Sequence, residues 1–390
     1  MSSSDPIVIV SAKRTPIGHF NGVFKNIAAT ELGAHVIKAV TEHTENTVDQ
    51  VIMGCVLSAG LGQAPARQAA LGAGLANHVT CTTINKMCGS GMQAVMMASR
   101  EITSGTSEIV VAGGMENMSR APYLMPGARF GYRLGAKTVE DHMMLDGLTN
   151  AYGDHLSMGS IADNCARTLQ ITREEQDAFA LQSIKRATTA TKNGLFKNEI
   201  VPVSLAENNT VISIDEGISK AIPEKIPQLK PVFAKDGTVT AANSSSISDG
   251  AAALLLMRAS TAEKLKLQPL AKIVGDSTYA GAPELFPTAP IFAIEQLLKK
   301  INWSVDNVDL FEINEAFAMV TLAAIKKLAL PPEKVNCHGG ACILGHPIGA
   351  SGARILVTLI YALKQAKKAR GVASLCIGGG EATAIAIELL

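Results

Sequence analysis

The amino-acid sequence predicts an α/β protein with two similar βαβ-based halves and a loop domain inserted between them. Strand-like apolar runs alternate with segments of helical period near the beginning of the chain and again after residue 270. The first stretch comprises residues 7–10, 28–40, 51–55 and 66–71, and the second comprises 271–274, 291–298, 309–313 and 316–328. Such alternation is typical of right-handed βαβ crossovers, so two α/β halves are the simplest explanation.

An internal repeat supports the same division. The segment SEIVVAGGME (107–116) resembles VASLCIGGGE (372–381), because both are apolar strands that end in Gly-Gly-x-Glu. Each strand follows a long predicted helix, and each helix follows a loop of small residues, at 88–91 in one half and at 345–352 in the other. The repeat indicates a duplication and predicts that both loops lie at helix starts.

Residues 118–248 separate the two halves and lose the alternation. They carry turn-rich, charged and methionine-bearing stretches, which predict an inserted loop domain. Within it we expect a structural helix at 174–192 and a surface loop at 207–227. The predicted boundaries are 1–117 for the N-terminal half, completed by about 249–269, then 118–248 for the loop domain and 270–390 for the C-terminal half.

Composition and charge exclude several classes of protein. With 390 residues, of which 47% are hydrophobic and 18% charged, the chain can bury a large core, so a disordered or fibrous protein is excluded. Lysine plus arginine (35) nearly balances aspartate plus glutamate (34), which leaves no global charge to hold nucleic acid or an anionic membrane. The longest apolar runs are shorter than the roughly 20 residues that span a bilayer. We expect neither a nucleic-acid nor a membrane partner.

The cysteine count and the first residues bear on location. Seven scattered cysteines, an odd number, predict free thiols in a reducing compartment. The first six residues, MSSSDP, lead into the apolar run without a basic region or an Arg-rich presequence. We therefore expect a cytoplasmic protein, or a mitochondrial one if the sequence is that of a mature form.

Cys88 is the first candidate for chemistry. It lies between a strand-like run at 82–85 and a helix predicted to begin near Gly89. The unpaired N–H groups and the dipole at a helix start stabilise a thiolate, and Gly89 and Gly91 allow a substrate to approach closely. An arbitrary cysteine is more often a small buried hydrophobe, but this context favours a nucleophile.

His346 lies in a glycine-rich loop before Pro347, a residue suited to the first turn of a helix. A cation is disfavoured at a helix N-terminus, so the pattern predicts a neutral imidazole that acts as a base. Cys376 lies near the end of an apolar strand that runs into three glycines beginning at Gly378, whose N–H groups suit a developing negative charge. Taken alone, His346 would be a satisfied polar residue and Cys376 a core residue.

Asn314 lies at a predicted junction between a strand and a helix. Its amide suits either a helix cap or the orientation of a water molecule, and as a single feature the cap is favoured.

A zinc site is a competing interpretation of the region around His346. Cys337, His338, Cys342 and His346 are close in sequence, and thiol plus imidazole is a donor set that zinc prefers. The spacing does not match paired zinc knuckles, and adjacent Cys337 and His338 would point apart in an extended segment, so we predict no metal. The sequence also lacks a Walker loop, a dinucleotide-binding glycine pattern and a Gly-x-Ser-x-Gly turn.

Four motifs, taken together and in this order, resemble the thiolase family. They are NKMCGSGM (85–92), NEAF (314–317), GGACILGHPIGASG (339–352) and CIGGG (376–380). The resemblance extends from residue 7 to the last strand. It implies the thiolase fold, in which two α/β halves form five layers, α/β/α/β/α, beneath a loop domain. It also implies a homotetramer built as a dimer of dimers, with residues 131–135 in the tetramerisation loop.

The resemblance implies a chemistry for each candidate residue. His346 would activate Cys88 to attack acetyl-CoA, with the N–H groups of Cys88 and Gly378 holding the oxyanion. Cys376 would then take a proton from a second acetyl-CoA, while His346 and a water held by Asn314 stabilise the enolate. The products would be acetoacetyl-CoA and CoA, and the reverse reaction would cleave acetoacetyl-CoA. Coenzyme A is then a substrate and product, and no cofactor is expected.

The closest likeness is to short-chain thiolases, and Phe286-Pro287 resembles a mitochondrial subtype that also accepts 2-methylacetoacetyl-CoA. A thiolase for longer 3-ketoacyl-CoA substrates is the alternative. The residues that the resemblance implies for the CoA and acyl pocket are Leu148, Met158, Phe233, Ala241, Ser245, Phe286, Ala316 and Phe317. Glu381-Ala382 differs from the small or amide pair that usually follows the triple glycine.

Two other classes are less well supported. A decarboxylating condensing enzyme on the same fold would lack a second active-site cysteine such as Cys376. A metal-stabilised binding protein would not need two thiols beside glycine-rich loops.

Overall fold

The first part of the chain alternates strands and helices as the sequence predicts. The computed structural model describes residues 5–42, 44, 47–205 and 209–390. The elements before residue 118 are β1 (Ile7–Arg14), β2 (Gly18–His19), α1 (Ala29–Val40), β3 (Gln50–Gly54), α2 (Pro65–Gly72), β4 (Thr80–Ile84), α3 (Ser90–Ser104) and β5 (Ile109–Asn117). In α1, the buried residues Leu32, Val36 and Val40 recur every four positions, so one apolar face packs on the sheet.

The region from 118 to 247 contains short strands, isolated helical turns and two longer helices. Its strands and α-helices are β6 (Tyr123–Leu124), β7 (Glu140–Asp141), α4 (Met158–Thr168), α5 (Arg173–Lys192), β8 (Val203–Ser204), β9 (Val211–Ile212) and α6 (Glu216–Lys220). Four further helical turns are Met118–Arg120, Ala128–Phe130, Met144–Leu148 and Pro223–Gln228. The helix predicted at 174–192 is confirmed by α5, whose first turn is closed by a reciprocal capping box between Thr172 and Glu175.

The prediction that residues 207–227 form a surface loop is wrong at one buried residue. Asp215 is fully buried, and both of its carboxylate oxygens accept hydrogen bonds from the Arg14 guanidinium at 2.7 and 2.9 Å. A buried guanidinium requires anionic partners, so β1 draws this segment into the interior. Residues 207 and 208 lie outside the described residues.

The last part of the chain returns to the alternating pattern. Its elements are β10 (Ser248–Arg258), α7 (Ala259–Lys264), β11 (Ala271–Ala280), α8 (Ala289–Ile301), β12 (Leu310–Ile313), α9 (Ala318–Leu328), α10 (Ala341–Leu344), α11 (Ser351–Ala366), β13 (Arg370–Ile377) and β14 (Glu381–Leu389). Three short helical turns are Pro283–Thr288, Val305–Asn307 and Pro332–Lys334. The predicted strands and helices are confirmed, although the helix after His346 begins at Ser351 and not at Pro347.

One twisted sheet of ten strands runs through both halves. Its order is β12-β13-β14-β11-β1-β10-β5-β3-β4, with β2 beside β10. The two sides are joined where β1 meets β11, through the pairs Val8↔Lys272 and Ile9↔Ala271. The pairs β12–β13, β3–β4 and β3–β5 are parallel, as expected where helices cross over between strands. Strand β10 lies between β1 and β5 in this sheet. The division into two halves and a loop domain stays a prediction.

Alternate residues of a strand are buried in different apolar clusters, and this arrangement defines five layers. On β13, Leu375 faces a central cluster formed with α3 and α11, whereas Cys376 faces an outer cluster formed with α8 and α9. On β1, Ile9 faces the same central cluster and Val8 faces α1 and α2. The order is therefore α/β/α/β/α, and the predicted fold class is confirmed. Among the described helices, not one combines the length and apolarity needed to cross a membrane.

The two central helices meet at their N-terminal ends through glycine. A Cβ atom at Gly91 would lie 2.8 Å from the Ala353 nitrogen, and one at Gly352 would lie 2.4 Å from the Met92 nitrogen. Because only glycine allows this approach, the first turns of α3 and α11 lie side by side. The loops that carry Cys88 and His346 are therefore brought together in the centre of the molecule.

Candidate active site

The predicted catalytic residues converge on one cavity of about 480 Å³. Its wall includes Cys88 at the start of α3, His346 before α11, Cys376 near the end of β13 and Gly378 in the turn that follows. Asn314 lies behind His346 and is fully buried. Residues separated by as many as 290 positions in the sequence thus share one site because the two halves place their helix starts together.

The loop that presents Cys88 is a sharp turn held by its own side chains. Met87 has a positive φ of 48°, a conformation that costs a non-glycine residue on the order of 1–3 kcal/mol. The Asn85 side chain accepts a hydrogen bond from the Met87 N–H at 2.9 Å. The Ser90 hydroxyl accepts from the Lys86 N–H at 2.8 Å and donates to the Met87 carbonyl at 2.6 Å. These contacts hold the thiol at the cavity wall.

Burial controls the protonation of Cys88. Loss of solvent raises the pKa of the Cys88 thiol to about 11, although the N–H groups of Gly378 and of Cys88 itself contact the sulfur and act in the opposite direction. The expectation that the helix start alone stabilises a thiolate is therefore wrong for the resting site. The desolvation cost exceeds the stabilisation from the N–H groups, so a base would be needed for this thiol to act as a nucleophile.

The His346 ring has the protonation state that such a base requires. The ring is buried, and burial lowers the pKa of His346 to about 3, with the Arg354 charge adding to the effect. The ring is therefore neutral, as predicted. Its Nδ1 atom lies 2.5 Å from the Ser351 hydroxyl, which also donates to the Pro347 carbonyl at 2.9 Å. Because that hydroxyl has one proton, this arrangement favours an Nδ1–H donor and leaves Nε2 with a free lone pair.

Asn314 does not cap a helix, so that part of the sequence interpretation is wrong. Helix α9 begins later, at Ala318, and the Asn314 oxygen accepts from Arg354 at 3.4 Å. The same guanidinium donates to Glu312 at 3.0 Å, because a buried arginine requires several acceptors. The Asn314 amide nitrogen is thereby turned towards the His346 ring, 3.5 Å from each ring nitrogen.

Cys376 supplies a second thiol to the same cavity. It is fully buried on β13, and burial raises its pKa well above the ordinary value, with the neighbouring Cys88 adding to the shift. In the resting site Cys376 is therefore protonated as well. Two protonated thiols and one neutral imidazole form a site that carries no charge on its reacting groups.

The remaining wall of the cavity is largely apolar. All eight residues that the sequence predicts for the CoA and acyl pocket line it: Leu148, Met158, Phe233, Ala241, Ser245, Phe286, Ala316 and Phe317. Phe233 and Phe317 pack edge to face with ring centres 6.4 Å apart. Sequence reasoning missed His19 and Phe20, which reach the wall from β2 and the residue after it. No local pattern marks these two, because the long-range pairing of β2 with β10 brings them to the site.

Glu116 is a buried group that sequence reasoning did not assign. Its carboxylate accepts the N–H groups of Gly349 at 2.8 Å, Val56 at 3.0 Å and Leu57 at 3.1 Å. It thereby holds the backbone of the His346 loop from the end of β5. The repeated Gly-Gly-x-Glu pattern contained this signal, since Glu116 is the last residue of the first repeat.

Three of the four residues of the competing zinc arrangement contact different partners. The His338 ring packs edge-on against Phe196, the Cys342 thiol donates to the Glu315 carbonyl, and His346 contacts Ser351. Within the described ranges, no group of three or more histidine, cysteine, aspartate or glutamate side chains is arranged to hold a metal ion. All seven cysteines are free thiols, as predicted.

Comparison with known proteins decides the family. The thiolase N-terminal domain matches residues 7–260, and the thiolase C-terminal domain matches residues 267–389. The chain belongs to the thiolase family. This thiolase is 48% identical to a probable acetyl-CoA acyltransferase of Staphylococcus epidermidis, over 98% of both chains. It is 50% identical to acetyl-CoA acetyltransferase 1 of Arabidopsis thaliana, over 98% of this chain and 94% of that protein.

A solved structure agrees with this assignment. The crystal structure of the Bacillus anthracis acetyl-CoA acetyltransferase matches this thiolase with a TM-score of 0.96 and 43% identity, over the whole of both chains. The predicted family and the thiolase fold are confirmed. The protein is an acyltransferase enzyme.

Proposed function

We propose that this thiolase is an acetyl-CoA C-acetyltransferase, which condenses two acetyl-CoA molecules to acetoacetyl-CoA and CoA and catalyses the reverse cleavage. The observation that carries the proposal is the meeting of two thiols, Cys88 and Cys376, beside the His346 imidazole in one apolar cavity. One thiol is needed to carry the acetyl group and another group is needed to move the proton of the second substrate. The names of the relatives support acetyl-CoA as the substrate.

The first half-reaction transfers an acetyl group to Cys88. As the sulfur attacks the thioester carbon, His346 Nε2 takes the thiol proton, and the carbonyl oxygen becomes an oxyanion that the N–H groups of Cys88 and Gly378 stabilise. The high pKa of Cys88 and the low pKa of His346 disfavour an ion pair before the substrate binds. The proton therefore moves as the new C–S bond forms.

The protonation state of the Cys376 thiol sets the order of the remaining proton transfers. Since burial keeps this thiol protonated, it becomes a base only after its proton has moved to the departing CoA sulfur. The resulting thiolate takes a proton from the methyl group of the second acetyl-CoA. The enolate oxygen is stabilised by the His346 ring together with a water held by Asn314. The carbanion then attacks the acetyl group, and the Cys88 sulfur leaves with the His346 proton.

The surface next to the cavity suits the anionic end of CoA. A second cavity of about 290 Å³ adjoins the first and shares His19, Ala241 and Ser246 with it. Lys220 and Lys225 line this second cavity, and Lys220 is held by Glu216 at 2.7 Å. The apolar cavity would hold the acyl group and the pantetheine arm, and the two ammonium groups would face the phosphates.

The acyl end of the cavity supports a short-chain substrate. Phe286 is buried and, like Met158, lines the cavity, so two bulky side chains limit the room for a long acyl chain. The proposal includes cleavage of 2-methylacetoacetyl-CoA, because one added methyl group asks for far less room than a longer chain. Activity on longer 3-ketoacyl-CoA substrates is the alternative.

Large exposed apolar side chains support a homotetramer. Phe130, which precedes the predicted tetramerisation loop at 131–135, and Leu134, which lies within it, are 92% and 90% exposed in the single chain. Side chains of this size at such exposure favour burial against another subunit. A cytoplasmic location stays a prediction.

The test is the rate at which acetoacetyl-CoA is lost in the presence of CoA, followed through its enolate absorbance with magnesium. Wild type should turn over, and Cys88→Ala and Cys376→Ala should each lower kcat by roughly a thousandfold or more. Cys81→Ala, a half-buried thiol on β4, is the matched control and should retain full activity. Rapid cleavage of longer 3-ketoacyl-CoA by a wild type that leaves acetoacetyl-CoA intact would replace the short-chain proposal with the broader one.

A further inference from the structure

The two segments that carry the proposed oxyanion donors face each other along a seam, defined by the residue pairs 86–381, 88–378 and 89–377. The Lys86 ammonium forms an ion pair with the Glu381 carboxylate. The Gly378 N–H contacts the Cys88 sulfur. The Ile377 side chain packs on Gly89, where a Cβ atom would lie 2.3 Å from the isoleucine methyl. The pairs run in opposite directions along the two segments, so the ion pair closes one end of the seam.

Both segments contain turn backbone that lies outside the neighbouring helix and strands. Met87 has a positive φ of 48° between Lys86 and Cys88, and Gly379 and Gly380 have φ values of 95° and 90° between Gly378 and Glu381. The two turns meet across the seam, so contacts there bear directly on the spacing between the Cys88 and Gly378 N–H groups. The apolar contact at Ile377 restrains one side of these donors, and the ion pair restrains the other.

The ion pair lies outside the reacting site. Within the described part of the chain, the cavity wall includes Cys88 and Gly378 but neither Lys86 nor Glu381. The Lys86 and Glu381 side chains are 24% and 34% exposed, so their attraction is screened less than that of a pair on the open surface. They are arranged to affect position without touching a substrate.

The other copy of the internal repeat makes an equivalent contact, which runs from the N-terminal half to the C-terminal half. Glu116 and Glu381 end the two Gly-Gly-x-Glu repeats, and each reaches the helix-start loop of the other half. Glu116 accepts the Gly349 N–H in the loop before α11, and Glu381 pairs with Lys86 in the loop before α3. Each half thus supports the loop that the other half presents to the cavity.

We propose that Lys86 and Glu381 are positioning residues, which hold the Cys88 and Gly378 N–H groups at the spacing that an oxyanion requires. The inference rests on the proposed function. Donors in an oxyanion hole act on charge that develops in the transition state, so a change in their spacing lowers kcat more than it changes substrate binding.

The matched comparison is between Glu381→Gln and Glu388→Gln on the same strand. Glu388 is 22% exposed and pairs with Lys272 at 2.6 Å and Arg370 at 3.0 Å, at the end of β14 far along the chain from the turn. Glu381→Gln should lower kcat for acetoacetyl-CoA cleavage by about fivefold to twentyfold, with KM changed by less than about twofold. Glu388→Gln should leave both constants unchanged.

A second readout separates donor spacing from general loosening of the Cys88 turn. Alkylation of Cys88 by iodoacetamide forms no oxyanion, whereas acetylation by acetyl-CoA does. Glu381→Gln should slow acetylation and leave alkylation unchanged, and the exchange Lys86→Glu with Glu381→Lys should recover most of the rate that either single reversal loses.

Two outcomes would overturn the inference: equal slowing of alkylation and acetylation, or full activity in Glu381→Gln and Lys86→Gln. A wild type that is inactive on acetoacetyl-CoA would instead refute the proposed function. The same comparison of variants would then be made with a longer 3-ketoacyl-CoA.

Discussion

The starts of α3 and α11 are built on the same plan but present different chemistry. In both, a serine hydroxyl closes the turn before the helix, since Ser90 donates to the Met87 carbonyl at 2.6 Å and Ser351 donates to the Pro347 carbonyl at 2.9 Å. The position equivalent to Cys88 in the second loop is Gly349. A Cβ atom there would lie 2.7 Å from the Glu116 carboxylate, so this loop has no room for a second cysteine.

The difference shows how two loops of similar sequence come to present a thiol in one case and an imidazole in the other. The first loop forces Cys88 to the cavity wall through the positive φ of Met87. The second keeps its backbone against Glu116 and supplies His346 from three positions earlier, with Ser351 holding the ring. The second loop thus has no room for the side chain that the first presents. Four predictions test this asymmetry.

The largest effect should follow removal of the proposed base, which only the second loop provides. His346→Asn should lower kcat for acetoacetyl-CoA cleavage by about a thousandfold, because the Cys88 thiol, with its pKa raised to about 11, then lacks a proton acceptor. Steady-state kinetics measures the loss. His338→Asn, a buried imidazole outside the cavity wall, is the control and should keep near-normal activity. Comparable losses in both variants would mean that packing, and not proton transfer, explains the effect.

The Glu116 carboxylate, which supports the second loop, should make the free energy of unfolding depend on pH. Burial raises the pKa of Glu116 to about 7 from an ordinary value of 4.5. The folded state therefore holds this proton more tightly than the unfolded state. Its contribution is fully present below pH 4.5, declines as the pH rises through 7 and is then lost, with a total change on the order of 3 kcal/mol.

Urea unfolding of wild type and Glu116→Gln at several pH values measures this slope. As the pH rises from 4.5 to 7, the free energy of unfolding of wild type should fall relative to that of the variant. Above that range the difference between the two should stay constant. A difference that does not vary with pH would show that the Glu116 carboxyl keeps its ordinary pKa in the fold.

Adding a methyl group to each loop should show which backbone is more tightly confined. Gly349→Ala places a Cβ atom 2.7 Å from a fixed carboxylate, and overpacking of this kind costs about 2 kcal/mol of stability. Gly89→Ala meets the end of the Ile377 side chain, which can rotate away, so its cost should be smaller. Thermal unfolding compares the two variants, and a larger loss in Gly89→Ala would reverse the assignment.

The two serines should separate catalysis from stability. Ser351→Ala removes the acceptor for the His346 Nδ1–H and should lower kcat by about tenfold with little change in KM. Ser90→Ala removes two hydrogen bonds of the Cys88 turn and should chiefly lower the free energy of unfolding, by about 1 kcal/mol. Kinetics and urea unfolding of both variants provide the comparison. Equal loss of kcat in the two would indicate that Ser351 has no separate part in orienting the imidazole.

Much of the site was predictable from local pattern. The strand before Cys88, the helix that begins at Ser90 and the position of Cys376 near the end of β13 all follow from periodicity and from glycine, which depend on near neighbours in the chain. The resemblance of four motifs then linked these separate segments to one family. The contacts of Asn314 were not predictable, because Arg354 reaches it only after α11 packs beside β12.

The sequence by itself determined the alternation of strands and helices, the two loops at helix starts and the identity of the groups that they carry. Only the tertiary structure decided their protonation and their partners. The raised pKa of Cys88 and the lowered pKa of His346 come from burial by residues distant in sequence. The same is true of Asp215, drawn inside by Arg14, and of Lys86, paired with Glu381. Periodicity is a property of neighbouring residues, whereas desolvation and ion pairing depend on which distant segments the fold brings into contact.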